Sequence, residues 1–296
     1  MLLYFTCRKK HITSCFLFCS IAFLLLACGA SVESASLTPP IVITMKAGDY
    51  QQTLKVGDQN RTYMVHLPLA ISTTHPLPLV VVLHDKGGNA DSIARATQMS
   101  AKADEEGFIV VYPDGIAHVS PTNKQLTWNC CGPAEKKSTG IDDVGFMHLL
   151  IEHLQHAYKI DARRIYATGM ADGGNMAYRL ACELPSTFAA IAPVAAEFGY
   201  AQCAPTQAVS VASIRGTADA KVQQPISYAI SFWVQQDQCA TVARWERNGN
   251  ILKATYANGQ DSTEVVLYSI INGVHAWSSP TTTLIWDFFV THAKTS

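Results

Sequence analysis

From residue 61 onward, short unbroken apolar runs alternate with longer stretches whose apolar residues recur every three or four positions. Leu79-Val80-Val81-Val82-Leu83 is apolar at every position, the pattern of a central parallel strand covered on both faces. Phe108-Ile109-Val110-Val111-Tyr112 repeats it. Residues 141–158 instead set Val144, Met147, Leu150, Ile151, Leu154 and Tyr158 on one face, a helical period. Read in this way, the chain predicts strands at 61–67, 79–83, 108–112, 164–168, 188–194, 209–214 and 264–270. Helices are expected at 90–106, where Gly107 stops the first, and at 141–158, 174–183, 226–237 and 282–292. A long loop, 114–139, interrupts the alternation. The βαβα order predicts an α/β fold with a mostly parallel, doubly wound sheet and helices on both faces. No internal repeat, low-complexity segment or second domain breaks it, so residues 46–296 read as a single domain.

The N-terminus follows a different rule. Arg8, Lys9 and Lys10 precede an apolar stretch from Ile12 to Ala27 that is short for a membrane span. Residues 1–27 therefore read as a signal peptide. Leu25-Leu26-Ala27-Cys28 resembles a bacterial lipobox, which predicts lipidation at Cys28, and residues 28–45 read as that cysteine and a tether. The expected location is outside the cell or at its surface, with a membrane contact only through the N-terminal anchor. The formal net charge is −1 and there is no long basic run, so nothing points to nucleic acid.

Nine cysteines are present, and Cys130, Cys131, Cys182, Cys203 and Cys239 fall beyond the tether. An exported compartment favours disulfides, and an odd number leaves at least one thiol over. Cys203 with Cys239 is the single pairing expected, because each flanks an element of the C-terminal half. No second cysteine pair at zinc spacing accompanies Cys130-Cys131, so no metal is expected, and a disulfide or buried thiol is the simpler reading than a nucleophile. His148, Glu152 and His156 share one helix face opposite the apolar one and read as a solvated polar face.

The chemistry concentrates after strand 164–168, where Gly169-Met170-Ala171-Asp172-Gly173 leads into a helix. Strand, turn and helix form the setting of a nucleophile elbow, in which Gly-x-Ser-x-Gly presents a serine on a strained turn. The central residue here is Ala171, whose methyl group cannot attack a carbonyl. Asp172 lies one residue off the tip and is not expected to replace it. Downstream, Asp219 follows strand 209–214 and His275 follows strand 264–270, in the acid-then-base order of such hydrolases. Either alone reads as a loop residue; together, at the carboxyl ends of strands, they read as an orienting acid and a general base. An oxyanion hole would draw on the loop His84-Asp85-Lys86-Gly87-Gly88, with Asp85 and Lys86 as its residues, and on the N–H of Asp172. Trp128 and Trp277 are candidate cleft walls. No cofactor is expected.

These stretches, together with Pro113-Asp114-Gly115, Trp128-Asn129-Cys130-Cys131-Gly132-Pro133, Asp142-Asp143-Val144-Gly145-Phe146 and Gly273-Val274-His275-Ala276-Trp277, resemble the poly(3-hydroxybutyrate) depolymerase family of esterases, which also holds feruloyl and acetylxylan esterases. The likeness runs over roughly residues 60–293. It implies an α/β-hydrolase fold and metal-free Ser-Asp-His hydrolysis of carboxylic esters, with an ester, polyester or plant-polysaccharide-type ligand. It also implies three departures: Ala171 stands at the serine position, Asp85 where a glycine follows His84, and Arg215 where a histidine precedes Gly216. The expected function is that of an exported ester hydrolase impaired in turnover, or of a lipid-anchored pseudoenzyme that still binds its ligand. Asp85 would set a carboxylate beside the oxyanion site.

Overall fold

The parallel strands inferred from the apolar runs lie side by side in one ten-stranded sheet. The structure is a computed structural model that describes residues 46–70, 75–117, 125–130 and 141–295. All belong to the compact unit Thr44–Ser296; residues 1–27, expected to be a signal peptide, Cys28 and Cys131 lie outside the described residues.

The chain enters as an antiparallel hairpin, β1 (Gly48–Val56) and β2 (Gln59–Leu67). It continues through β3 (Leu77–Leu83), α1 (Ala90–Thr97), α2 (Met99–Glu106) and β4 (Ile109–Pro113). A two-stranded ribbon, β5 (Ile116–Ala117) with β6 (Leu126–Thr127), precedes α3 (Asp143–Ala157). Then follow β7 (Ile160–Met170), α4 (Asp172–Glu183), β8 (Ala190–Val194), β9 (Ser210–Gly216) and α5 (Ile226–Gln236). The last elements are the hairpin β10 (Arg244–Asn248) and β11 (Ile251–Tyr256), then β12 (Val265–Ile270) and α6 (Thr281–Val290). The sheet order is β1-β2-β4-β3-β7-β8-β9-β12-β11-β10. Its six central strands are parallel, and the antiparallel pairs lie at the two ends.

Alternation along a strand sends successive side chains to opposite faces. In β3, Leu79, Val81 and Leu83 join one core with α3, α4 and α5, while Val80 and Val82 join the other with α1, α2 and α6. All five are fully buried, at about 1.5–3 kcal/mol each.

The fold differs from the sequence expectations in several places, the β5–β6 ribbon within the expected loop 114–139 among them. The helix expected at 90–106 is two, because Gln98 adopts the left-handed conformation (φ 51°, ψ 28°) and closes α1 through its N–H to Ala94 O. Hairpins β1–β2 and β10–β11 were not expected. β1 is largely exposed and β10 exposed throughout, so neither carries an apolar run. Finally, Cys203 pairs with Cys182 (Cα–Cα 5.0 Å), whereas Cys239 is a free, buried thiol. That joins the end of α4 to the loop after β8, a contact set by the packing of the two and invisible in linear spacing.

Candidate active site

Parallel register brings the carboxyl ends of β7, β8, β9 and β12 to one edge of the sheet, with Met170 beside Val194, Val194 beside Ile214 and Gly216 beside Ile270. Ala171 occupies the turn between β7 and α4 with φ 48° and ψ −112°, a conformation that costs a residue with a Cβ on the order of 1–3 kcal/mol. The turn is held from both sides: Ala171 N donates to Val194 O (2.9 Å), and Asn175 N donates to Ala171 O (2.8 Å). Two glycines make it possible. A Cβ on Gly169 would stand 2.7 Å from Leu83 O, and one on Gly173 only 2.2 Å from the same oxygen. The end of β3 thus lies directly against the turn.

The loops after β9 and β12 interlock in the same way. Thr217 N donates to Ile270 O (2.9 Å) and Ala218 N to Gly273 O (2.8 Å). This crossing brings Asp219 and His275 together: His275 Nδ1 lies 2.9 Å from Asp219 Oδ2 and 3.2 Å from Oδ1. With Nδ1–H donating to the carboxylate, Nε2 is the basic end of the ring. The Asp219 side chain is fully buried and that of His275 is 15% exposed, so the acid is enclosed and the base reaches solvent. Burial works to raise the Asp219 carboxyl, but the hydrogen bond from His275 and those from the N–H groups of Lys221 and Val222 outweigh it and hold it below its ordinary value. The acid is therefore ionised at neutral pH and fixes the imidazole tautomer. Arg215 contributes indirectly, donating to the carbonyls of Val222 (2.9 Å) and Gln224 (3.1 Å) and so bracing the loop that carries Asp219.

The loop after β3 is organised by His84. Its Nε2 accepts from Gly115 N (2.9 Å), so Nδ1 carries the proton and donates to Asp85 O (2.7 Å). Burial lowers its pKa and keeps it neutral. Trp128 is 3% exposed and donates its indole N–H to His84 O (2.8 Å); it packs under this loop and does not wall a cleft, which corrects the sequence expectation. Gly87 N is taken by Leu126 O (2.7 Å) and Gly88 N by Asp85 O (3.0 Å). The N–H groups of Asp85, Lys86 and Asp172 have no protein acceptor among the described residues. The Asp85 carboxylate folds back along its own loop, since a Cβ on Gly88 would stand 2.7 Å from Asp85 Oδ1. Trp277 is half-buried beyond His275.

Sequence reasoning missed a polar network beneath these loops. Buried Arg61 pairs with Asp143 (2.8 Å) and lies over the Phe146 ring. Asp143 accepts from Asn129 N (2.7 Å), and Arg179 donates to the Asn129 side chain (3.0 Å) and to Glu183 (2.5 Å). The network holds the segment in which Thr127 donates to Asp172 Oδ2 (3.1 Å), next to the Ala171 turn. Its one sequence signal was charged residues inside otherwise apolar stretches, such as Arg179 in Ala177-Tyr178-Arg179-Leu180. Cys130 is disulfide-bonded and so is no thiol nucleophile. His148, Glu152 and His156 are exposed, and no group of metal-ligating side chains forms among the described residues. Two grooves lie elsewhere: about 530 Å³ beside Cys239, and about 400 Å³ between the β10–β11 hairpin and α6.

A parallel doubly wound sheet, a strained strand–turn–helix and an acid–base pair on the following strand ends define an α/β-hydrolase. Solved structures agree on the fold: an acetyl xylan esterase from Aspergillus awamori superposes with a TM-score of 0.62 at 16% identity, covering 81% of this chain and 99% of that one. Residues 61–239 match the family described as Esterase PHB depolymerase, and the chain belongs to it. Among its relatives, NocK of Nocardia uniformis subsp. tsuyamanensis is 34% identical over 167 residues, 55% of this chain and 46% of that protein. Feruloyl esterase B of Piromyces equi is 26% identical over 252 residues, 77% of this chain and 44% of that protein. The chain thus spans about half the length of the curated relatives it matches.

Proposed function

We propose that the chain is an exported esterase relative, anchored by a lipid on Cys28, that binds an ester-bearing ligand of the polyester or plant-polysaccharide type and turns it over poorly or not at all. The observation that carries this reading is the Ala171 turn. It keeps the strained backbone of an elbow, yet offers no hydroxyl to the base on His275. The remaining parts fit ester chemistry. Asp219 holds His275 with Nε2 outward, and the N–H groups of Asp85, Lys86 and Asp172 are open to a developing oxyanion. A serine at residue 171 would lose its proton to His275 Nε2 as it attacked the carbonyl, and the same proton would go to the leaving alcohol. Without it, loss of the nucleophile costs about 10⁶ in turnover. The ligand class rests on the feruloyl and acetylxylan esterases among the relatives. Export and anchoring rest on residues 1–28, whose charged start, apolar run and Leu25-Leu26-Ala27-Cys28 lie outside the described structure. Hydrolysis of p-nitrophenyl butyrate tests the reading. The purified protein is expected to show none above background, and a rate typical of esterases that His275→Ala abolishes would overturn it.

A further inference from the structure

Of the two strands that end the sheet, β1 and β10, only β10 carries a large exposed apolar side chain, Trp245, which is 62% exposed. All five residues of β10 face solvent, and its ladder with β11 runs without a shift. Gly249 and Asn250 close the hairpin, with Gly249 at φ 57°, so Asn248 and Ile251 form a hydrogen-bonded pair. Such pairs alternate along an antiparallel ladder, so Glu246 and Arg244 also bond inward to β11. Trp245 and Arg247 therefore turn their N–H and C=O groups outward, where no described backbone group takes them. An edge of this kind is a template for another strand.

The side chains say which strand fits. On one face the ladder sets Leu267, Ala254 and Trp245 side by side, an apolar row that runs out at the edge. On the other it sets Tyr268, Lys253 and Glu246 side by side, with Arg244 2.9 Å from Glu246 along the strand. A second β10 can pair antiparallel only where outward groups meet outward groups, which puts the two-fold axis on a residue and not between two. Centred on Arg244, Glu246 or Arg247, the axis sets like charges opposite each other, which is destabilising. Centred on Asn248, it drives each strand into the other's turn. Centred on Trp245, it sets Arg244 opposite Glu246 of the second copy, twice by symmetry, and Arg247 opposite Ala243. The row Lys253–Glu246 then continues into the second copy's Arg244 with alternating charge, and the two indoles meet and join the apolar rows. The axis stands perpendicular to the sheet, so the two Ala171 turns lie at opposite edges of the joined sheets.

We propose that the outer edge of β10 is a homodimer interface, at which two copies of the chain pair antiparallel with Trp245 on the two-fold axis. The strand is short, so the dimer is weak and forms as concentration rises. Sedimentation velocity of the purified protein over a concentration series tests it, beside two variants at exposed positions where folding is not at stake. The unaltered protein is expected to pass from monomer to dimer. Arg244→Glu sets Glu opposite Glu and Glu246→Arg sets Arg opposite Arg, so each variant alone should raise the dimer Kd tenfold or more. Mixed in equal amounts, the two variants bring opposite charges together again, and dimerisation should return. A monomer at every concentration would overturn the interface and leave the edge to some other strand. Association that Arg244→Glu leaves unchanged, as contact through the N-terminus or through β1 would give, would also overturn it. So would a mixture that stays monomeric, because only the Trp245-centred register sets residue 244 opposite residue 246.

Discussion

Asp237 offers a quantitative check on the energetics of the fold. It follows α5 and is completely buried. Its Oδ1 accepts from Val209 N (3.3 Å), and its Oδ2 has no partner among the described residues. Burial pushes the carboxyl up to about 7 from 3.8, against the smaller pull of the Val209 hydrogen bond. The folded chain therefore keeps a proton that the unfolded chain releases between pH 3.8 and about 7. Its stabilising effect is full below pH 3.8, declines as the pH rises through that window, and is gone above it. At 1.36 kcal/mol per pH unit the window corresponds to about 4 kcal/mol, a large fraction of a typical domain's 5–15 kcal/mol. The neighbouring Cys239 thiol is pushed up to about 11 by burial and does not titrate in the same range. Asp237→Asn removes the titration and keeps the acceptor for Val209. Urea unfolding of both proteins at intervals from pH 4 to 8 isolates the effect, because the fixed cost of the new amide cancels in the difference between curves. The unaltered protein should lose about 4 kcal/mol relative to Asp237→Asn on going from pH 4 to 8. Parallel curves would refute the reasoning and show that water reaches Oδ2 and keeps the carboxyl near its ordinary value.

Two further outcomes are expected. In an Ala171→Ser background, adding Asp85→Gly should raise ester turnover by about tenfold or more, since it removes an anion from the loop whose N–H groups face a developing oxyanion; equal kcat values for the two would show that the carboxylate folded over Gly88 does not act on the site. Mass spectrometry of the mature N-terminus should find a lipid on Cys28 in the membrane fraction, and a soluble chain with a free N-terminal amine would rule the anchor out.

Much of the fold was legible because the central strands are buried on both faces. Val80 and Val82 feed one core and Leu79, Val81 and Leu83 the other, which leaves an unbroken apolar run that no helix period explains. The edge strands β1 and β10 escaped for the converse reason. β10 faces solvent throughout and β1 buries only Tyr50, Leu54 and Val56 in part, so much of their stability comes from ladder pairing, and Gly57 and Gly249 in the tight turns marked them. The break at Gln98 was hidden because the left-handed conformation falls on a residue with no special preference for it. In the site, Ala171, Asp219 and His275 were legible from the glycines and the order of strand ends. The loop residues were less so. Trp128 proved a buried brace for His84, and the Cys182–Cys203 bridge depends on how α4 meets the loop after β8. Both are products of tertiary packing, which spacing along the chain does not encode.

The central claim is that a working acid–base pair and elbow frame lack only a hydroxyl. Intact-mass spectrometry of the purified protein mixed with p-nitrophenyl butyrate, beside Ala171→Ser and Ala171→Ser/His275→Ala, tests it most directly. The account predicts no acyl adduct on the unaltered protein, a butyryl adduct on Ala171→Ser mapping to position 171, and its loss when His275 is also replaced. An adduct on the unaltered protein would reveal another nucleophile, and none on a folded Ala171→Ser would show that Asp219 and His275 are not poised over the Ala171 turn; either result contradicts the account.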